Sequence, residues 1–174
     1  QEAPEMFILD NHAGNPTDND AWHTDVTFIE TPPLGAILYA KLLPPEGGDT
    51  CFANMQAAYE GLSKPLQRFL AELDAVHDFA RGFPTRGQVA KEAGADKHSK
   101  ALDDHPPVIH PVVRTHPETG ADSLFVNYGF TERIKGLRRE ESDALLKMLF
   151  VHIQKPEFQV RWQWKPNAIA FSDN

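Results

Sequence analysis

The sequence predicts a mainly β domain of the antiparallel sandwich or barrel kind, of which a jelly roll is the natural member. About eight short strand-like runs are separated by turns rich in Pro, Gly, Asn and Asp. Helical periodicity interrupts these runs near residues 54–73 and again near 140–154. The sequence shows neither alternating strands and helices nor a dinucleotide-binding glycine pattern, which argues against a Rossmann fold.

The first strands are predicted from apolar runs bounded by turn residues. Residues 6–9 form a short apolar run that predicts a buried strand. Residues 36–43 predict a strand buried on both faces, and residues 49–53 are expected to pair with it across the turn at 44–48. Residues 77–81 predict another extended segment.

Two helical regions interrupt the strands. Asn54 is a credible N-cap for the first, and the run Ser63-Lys64-Pro65 predicts a break that divides it into two short helices. Residues 140–154 have one apolar side, and Glu140 and Glu141 suit the positive end of the helix dipole.

The residue pattern elsewhere in the chain predicts one polar segment and four more strands. Residues 85–105 carry mixed charges with little apolar periodicity, which indicates a solvated helix or a mobile lid. Residues 108–115 and 123–127 predict a hairpin closed by a turn at 117–120. Residues 158–164 and 168–171 predict the last two strands.

Composition narrows the function classes. The chain has 174 residues, 41% of them hydrophobic, and a net charge of −8 with a pI near 5.4. This acidic balance argues against non-specific nucleic-acid binding, although one or two buried arginines could still hold a small anion. A single cysteine, Cys51, excludes an intrachain disulfide and fits a cytoplasmic protein. No apolar run approaches the ~20 residues that a membrane span needs.

The two ends of the sequence suggest a segment of a longer protein. The chain begins at Gln1 without a methionine and reaches a strand-like run at once, and it stops at Asn174 directly after another such run. A domain rarely ends on a strand, so we expect truncation at both ends.

The run Trp22-His23-Thr24-Asp25-Val26-Thr27-Phe28 carries the candidate site. In an extended chain residues i and i+2 point to one face, so His23 and Asp25 would project together. An imidazole and a carboxylate make two of the three ligands of a facial site for non-haem Fe(II). The alternative is a polar strand end with a surface Asp. Similarly, Asn19 could bind a polar ligand or cap its own turn.

Several segments together resemble one family. They are residues 22–33, Gly47-Gly48-Asp49-Thr50, residues 110–117, Leu124-Phe125-Val126-Asn127 and residues 155–162. In this order they resemble the taurine dioxygenases, which are Fe(II)- and 2-oxoglutarate-dependent oxygenases. The resemblance implies a double-stranded β-helix, which is a jelly roll, and makes residues 1–174 a single partial oxygenase domain with the two helical insertions.

The resemblance also implies roles for individual residues. His23 and Asp25 would be two iron ligands, with no catalytic residue beyond the metal ligands, and Thr50 would help hold the distal carboxylate of 2-oxoglutarate. The aminosulfonate pocket would be lined by three residues, Asn19, Val26 and Phe83.

The implied reaction hydroxylates taurine at the carbon bearing sulfur and releases sulfite and aminoacetaldehyde. Succinate and CO2 are formed from 2-oxoglutarate, and O2 is consumed. The implied assembly is a dimer or tetramer of identical chains, with no nucleic-acid or membrane partner. Two alternatives remain: the same superfamily acting on alkyl sulfates or other sulfonates, and a non-catalytic jelly-roll binding protein that has lost its metal site.

The sequence departs from the family pattern at its end. In the family, a second histidine follows shortly after the pair seen here as Asp173 and Asn174, and the co-substrate and sulfonate arginines lie further on. Ser172 also stands where close relatives tend to carry an aromatic residue. We therefore expect activity of the full-length parent and little or none from these 174 residues alone.

Overall fold

A computed structural model of the chain describes residues 8–10, 21–83 and 95–174. Within those ranges the strands are β1 (Gly35–Tyr39), β2 (Thr50–Ala53), β3 (Asp74–His77), β4 (Val108–Pro111), β5 (Val113–Thr115), β6 (Asp122–Leu124), β7 (Thr131–Ile134), β8 (Gln159–Trp162) and β9 (Ile169–Asp173). The helices are α1 (Met55–Glu60), α2 (Lys64–Leu70), α3 (Phe79–Gly82), α4 (Ala95–Asp104) and α5 (Arg139–Ile153). A single 3-10 turn, Pro156–Phe158, precedes β8.

The described strands form four small antiparallel sheets. β1 pairs with β9, β2 with β8 and β5 with β6, while β3 lies between β4 and β7. The β1–β9 register places Gly35 opposite Asp173. Gly35 allows this close approach, because a Cβ there would lie 2.7 Å from both the Phe171 ring and the Ser172 carbonyl oxygen. The pairing brings Asn174 beside the segment that precedes β1.

The hydrophobic core forms where α1 packs against β6 and α5 packs against α1 and β7. α5 contributes apolar side chains at helical spacing, so that one face of the helix is buried: Leu146, Leu149, Phe150 and Ile153. From the other elements come Ala58, Leu70, Ala75, Leu124 and Ile134. This core supports β3 and β7, which carry residues that surround the candidate site.

The predicted helices are confirmed. Asn54 caps α1, with its Oδ1 accepting a hydrogen bond from the Ala57 N–H at 2.9 Å. The break at residues 63–65 separates α1 from α2, and α5 carries Glu140 and Glu141 in its first turn. The solvated helix expected within residues 85–105 is seen as α4. No described helix is long and apolar enough to cross a membrane.

The predicted strands are confirmed in part. The hairpin predicted for residues 108–115 and 123–127 forms in part: β5 pairs with β6, with Gly120 at φ +71° in the turn, whereas β4 pairs with β3. The predicted pairing of residues 36–43 with 49–53 is wrong, because β1 pairs with β9 and β2 with β8. β1 is also not buried on both faces, since Ile37 is 70% exposed in a two-stranded sheet. Helices cover somewhat more of the described residues than strands do, so this part of the chain is less β-rich than expected.

Three further segments differ from expectation. The extended run predicted for 77–81 ends at His77, because Asp78 caps α3 by accepting a hydrogen bond from the Ala80 N–H at 2.8 Å. β7 was not predicted. The strand expected at 6–9 lies partly outside the described residues, and residues 8–9 are not in a strand.

Gln67 joins α2 to the end of α1, and its loss should destabilise the fold. Its buried side-chain amide nitrogen lies 2.9 Å from the carbonyl oxygens of Tyr59 and Leu62. Gln67→Met leaves these buried acceptors unpaired and is expected to lower the free energy of unfolding by about 1–3 kcal/mol in urea titrations. Gln56→Met, at an exposed position of α1, is the matched control and should change it little. Equal stability of the two variants would contradict this role.

Candidate metal centre

His23 and Asp25 lie in a loop and turn rather than at a strand end. Residues 22–24 have no regular structure, and residues 25–28 form a turn. The side chains nevertheless converge, with His23 Nε2 3.3 Å from Asp25 Oδ1. The prediction of an extended segment is thus wrong from Asp25 onward, whereas the predicted meeting of the two side chains is confirmed.

The hydrogen bond made by His23 Nδ1 defines the tautomer of the ring. Nδ1 lies 2.8 Å from the Ala21 carbonyl oxygen, which can only accept, so Nδ1 carries the proton. In the neutral ring, Nε2 then carries a lone pair that points towards Asp25. A hydrogen bond from one ring nitrogen to a backbone carbonyl is the usual way in which proteins orient a metal-binding imidazole.

The two groups shift each other's pKa. The hydrogen bond with Asp25 raises the pKa of His23, and the same bond lowers the pKa of Asp25, in each case against the effect of partial burial. Each shift stabilises the charged form of its own group. A divalent cation could take the place of a proton between the same two atoms.

The donor geometry fits a first-row metal ion. Ligands about 2.1 Å from an octahedral ion, at right angles to each other, are about 3 Å apart, close to the distance between these two donors. The side chains of His23 and Asp25 are 35% and 48% exposed, so an ion can reach both. Within the described ranges no group of three potential metal ligands occurs.

Val26 reverses the chain directly after Asp25. Its φ is +57°, in the left-handed region, and the Ile29 N–H donates to the Val26 carbonyl oxygen at 3.3 Å. A β-branched residue rarely adopts this conformation, which costs on the order of 1–3 kcal/mol and persists only where the surroundings enforce it. The turn directs Thr27 and Phe28 into the interior, where both are buried.

A buried polar network holds Thr27. Its hydroxyl oxygen accepts a hydrogen bond from the Asn127 side-chain amide at 3.1 Å and lies 2.9 Å from His77 Nδ1. The Asn127 backbone N–H donates to the Thr131 hydroxyl at 2.9 Å, and that hydroxyl is 3.4 Å from His77 Nε2. Thr27, His77 and Thr131 have no exposed surface. The turn is therefore bonded to β3 and to the loop before β7.

His110 holds the same turn from β4. Its Nε2 lies 2.9 Å from the Thr27 carbonyl oxygen and 3.0 Å from that of Ile29, so this nitrogen carries the proton and donates to both. The rings of His77 and His110 are 5.1 Å apart. Burial, reinforced by His110, lowers the pKa of His77 to about 3, and burial also lowers the pKa of His110. Both imidazoles are neutral near pH 7.

Phe83 belongs to an aromatic cluster next to this turn. Its ring centroid is 6.2 Å from that of Phe28 and 5.8 Å from that of Phe130. The cluster reaches the metal pair through the loop before β7, because a Cβ on Gly129 would lie 3.0 Å from the His23 Cβ. Phe83 therefore packs in an aromatic cluster beside the turn that follows Asp25, and its place in the pocket wall stays a prediction.

The other predicted site residues are placed less directly. Thr50 begins β2, and its hydroxyl accepts a hydrogen bond from the Trp164 indole N–H at 2.9 Å. Among the described contacts it has no hydrogen bond to His23 or Asp25. Asn19 lies outside the described residues. Val26 follows Asp25 directly and has a left-handed backbone, and its place in the pocket stays a prediction.

Sequence reasoning missed a contact made by His116. The expected turn is present, since His116 Nδ1 accepts hydrogen bonds from the Glu118 and Thr119 N–H groups at 3.1 Å. Its Nε2 lies 2.6 Å from Asp173 Oδ2 at the end of β9. The buried network around His77 and His110 was missed as well. No local pattern marks either feature, because the partners are 50 or more residues apart.

Comparison with known proteins identifies the family. The model of the taurine catabolism dioxygenase TauD, TfdA family matches residues 1–174. The chain therefore belongs to this family of α-ketoglutarate-dependent dioxygenases.

Three relatives illustrate the match. A sulfate ester dioxygenase of Pseudomonas putida, named as α-ketoglutarate-dependent, is 36% identical over 89% of this chain and 52% of its own length. An α-ketoglutarate-dependent sulfonate dioxygenase of Saccharomyces cerevisiae is 35% identical over 91% of this chain and 37% of its own. The crystal structure of a taurine dioxygenase from Burkholderia xenovorans has a TM-score of 0.73 and 38% identity over 88% of this chain and 48% of its own. The chain thus spans about half, or less, of the relatives it matches.

The neutral state of His77 should make the fold sensitive to acid. Between its ordinary pKa of 6.5 and its folded value of about 3, the unfolded chain binds a proton at His77 that the folded chain does not. The unfolding free energy should therefore fall as the pH falls through this window, by up to about 1.4 kcal/mol per pH unit from this group. Urea titrations between pH 7 and pH 4 measure the slope.

The variant His77→Asn isolates the contribution of this residue. Its side chain can still bond the Thr27 hydroxyl but does not titrate, so its stability should fall less steeply with acid than that of the wild type. Parallel slopes for the two proteins would show that His77 is not the group responsible.

Proposed function

We propose that the full-length protein is an Fe(II)- and 2-oxoglutarate-dependent dioxygenase that hydroxylates taurine at the carbon bearing sulfur. The products would be sulfite and aminoacetaldehyde, with succinate and CO2 formed from the co-substrate. The observation that carries the proposal is the His23–Asp25 pair, with Nε2 and Oδ1 3.3 Å apart and Nδ1 bonded to a backbone carbonyl. Membership of the dioxygenase family supports the reaction class.

His23 and Asp25 would hold the iron through Nε2 and the carboxylate, and a further ligand would come from outside this pair. Bound Fe(II) supplies the oxidising chemistry by activating O2 together with 2-oxoglutarate. His23 would remain in one tautomer because Ala21 holds its Nδ1 proton. An ionised Asp25 carboxylate would balance part of the metal charge.

Thr50 would donate a hydrogen bond from its hydroxyl to the distal carboxylate of 2-oxoglutarate. This is compatible with its observed bond, because the Thr50 oxygen accepts from Trp164 and its own proton remains available. Asn19, Val26 and Phe83 would line the aminosulfonate pocket. The ring cluster formed by Phe28, Phe83 and Phe130 would exclude water beside the metal.

We further infer that residues 1–174 form one partial jelly-roll domain of a cytoplasmic homo-oligomer, a dimer or a tetramer. The antiparallel β1–β9 and β2–β8 pairs are suitable building units for such a fold. Oligomeric state can be measured by light scattering of the purified full-length protein.

A second candidate substrate class is supported by the relatives. One of them is named for sulfate esters and another for sulfonates in general, at nearly equal identity to this chain. The alternative is therefore the same hydroxylation applied to an alkyl sulfate or a different sulfonate, with the described metal pair unchanged.

Metal binding tests the proposed site directly. His23→Ala and Asp25→Asn in the full-length protein are each expected to weaken Fe(II) binding by about 10-fold or more, because each removes or neutralises a ligand. Anaerobic titration calorimetry measures the affinity. Asp96→Asn, at an exposed position on α4, is the charge-matched control and should bind like the wild type. Unchanged binding by both site variants would exclude this pair as the metal site.

A substrate panel separates taurine from its competitors. With Fe(II), ascorbate and 2-oxoglutarate, the full-length protein is expected to release sulfite from taurine faster than from butanesulfonate, and to form little sulfate from hexyl sulfate. Succinate formation provides one readout for all three compounds. Faster turnover of hexyl sulfate or butanesulfonate would establish the second candidate, and no sulfite from taurine would defeat the first.

A further inference from the structure

Asn174 is bonded to the backbone of Asp25, although the two residues are 149 positions apart. The Asp25 N–H donates to Asn174 Oδ1 at 2.9 Å, and Asn174 Nδ2 donates to the Asp25 carbonyl oxygen at 2.8 Å. The same Nδ2 donates to the Pro33 carbonyl oxygen at 3.0 Å. One side-chain amide thus satisfies both backbone polar groups of the residue that carries the candidate metal-binding carboxylate.

The position of Asn174 is itself well supported. Its backbone N–H donates to the Leu34 carbonyl oxygen at 2.9 Å, which continues the β1–β9 ladder by one bond. The preceding residue, Asp173, lies against His116 of the β5–β6 hairpin at 2.6 Å. The backbone that carries the Asn174 amide is therefore fixed at the end of β9.

The left-handed Val26 lies between two fixed points. Asn174 holds Asp25 on one side, and the buried hydroxyl and carbonyl of Thr27 are bonded on the other. A β-branched residue at φ +57° relaxes to negative φ unless its neighbours prevent it. Such a rotation would reorient the Asp25 backbone and move its carboxylate away from His23.

We propose that Asn174 is a positioning residue that holds the Asp25 carboxylate in its metal-binding orientation by fixing the backbone of Asp25 next to the left-handed Val26. The proposal rests on the proposed function in one respect, namely that the His23–Asp25 pair binds a metal ion. Asn174 does not touch the metal in this account and acts through Asp25.

The test measures Co(II) affinity of the full-length protein by visible absorption. Asn174→Ala removes both side-chain bonds to Asp25 and is expected to weaken Co(II) binding by about 10-fold, within the range measured for residues that orient metal ligands. Asn174→Leu, which has similar volume but no polar group, should be weakened equally. Asn54→Ala is the matched control, because it removes another hydrogen bond that a backbone N–H donates to an Asn side-chain oxygen, at a helix cap distant in sequence. It should lower the melting temperature without changing Co(II) affinity.

A rescue experiment separates positioning from a general loss of stability. Glycine adopts positive φ without steric cost, so the turn needs less support once Val26 is replaced. Asn174→Ala/Val26→Gly should therefore recover part of the Co(II) affinity lost in Asn174→Ala. A merely structural role would give no recovery, because a glycine adds no contact.

The outcomes distinguish the inference from the function on which it rests. If the wild type binds no Co(II), the proposed metal site fails. If the wild type binds Co(II) and both Asn174 variants bind it as tightly as the wild type does, Asn174 has no positioning role. If Asn174→Leu alone keeps the wild-type Co(II) affinity, Asn174 acts by filling space rather than by hydrogen bonding, which would also overturn the proposal. Should Asn174→Ala not fold, Asn174→Leu and its own Val26→Gly double variant decide the question in the same way.

Discussion

The left-handed backbone at Val26 is the constraint on which the candidate metal centre depends. It allows Asp25 to face His23 at the surface while Thr27, two residues later, is fully buried. An extended chain would turn Thr27 to the same side as Asp25. The unfavourable φ of Val26 therefore allows the Asp25 carboxylate to be accessible while the Thr27 side chain is buried.

The surroundings of the turn account for its persistence. His110 binds two carbonyl oxygens of the turn, and Asn127 and His77 contact the Thr27 hydroxyl. Each partner is buried, so breaking any of these bonds leaves a polar group without water or a replacement. Both imidazoles must be neutral to fit this environment, which links the rigidity of the site to pH. Rigid support of this kind is what a metal site with few ligands requires.

The sequence allowed prediction of those features that depend on neighbouring residues. The Asn54 cap, the break before α2 and the β5–β6 hairpin follow from local spacing. The side chains of His23 and Asp25 meet as predicted, but in a loop and turn rather than in the extended segment on which the prediction was based. The family resemblance, carried by several segments in order, is confirmed at the level of the TauD, TfdA family.

The missed features depend on distant residues. The Asn174 bonds to Asp25, the contact of His116 with Asp173 and the side-chain bonds to Thr27 join residues separated by 50 to 149 positions. Strand partners were mistaken for the same reason, since alternation predicts a strand but not the strand beside it. The turn at residues 25–28 was missed because Val26 and Thr27 favour extended structure, and tertiary bonds override that preference.

The central claim is that one metal ion binds between His23 Nε2 and the Asp25 carboxylate beside a left-handed Val26. An anaerobic crystal structure of the full-length protein with Fe(II), using anomalous scattering at the iron edge, tests it most directly. The account predicts an iron peak within about 2.2 Å of both atoms, with Val26 still at positive φ and His23 Nδ1 still bonded to Ala21. Iron located elsewhere, or bound through Nδ1 of His23, would contradict the account.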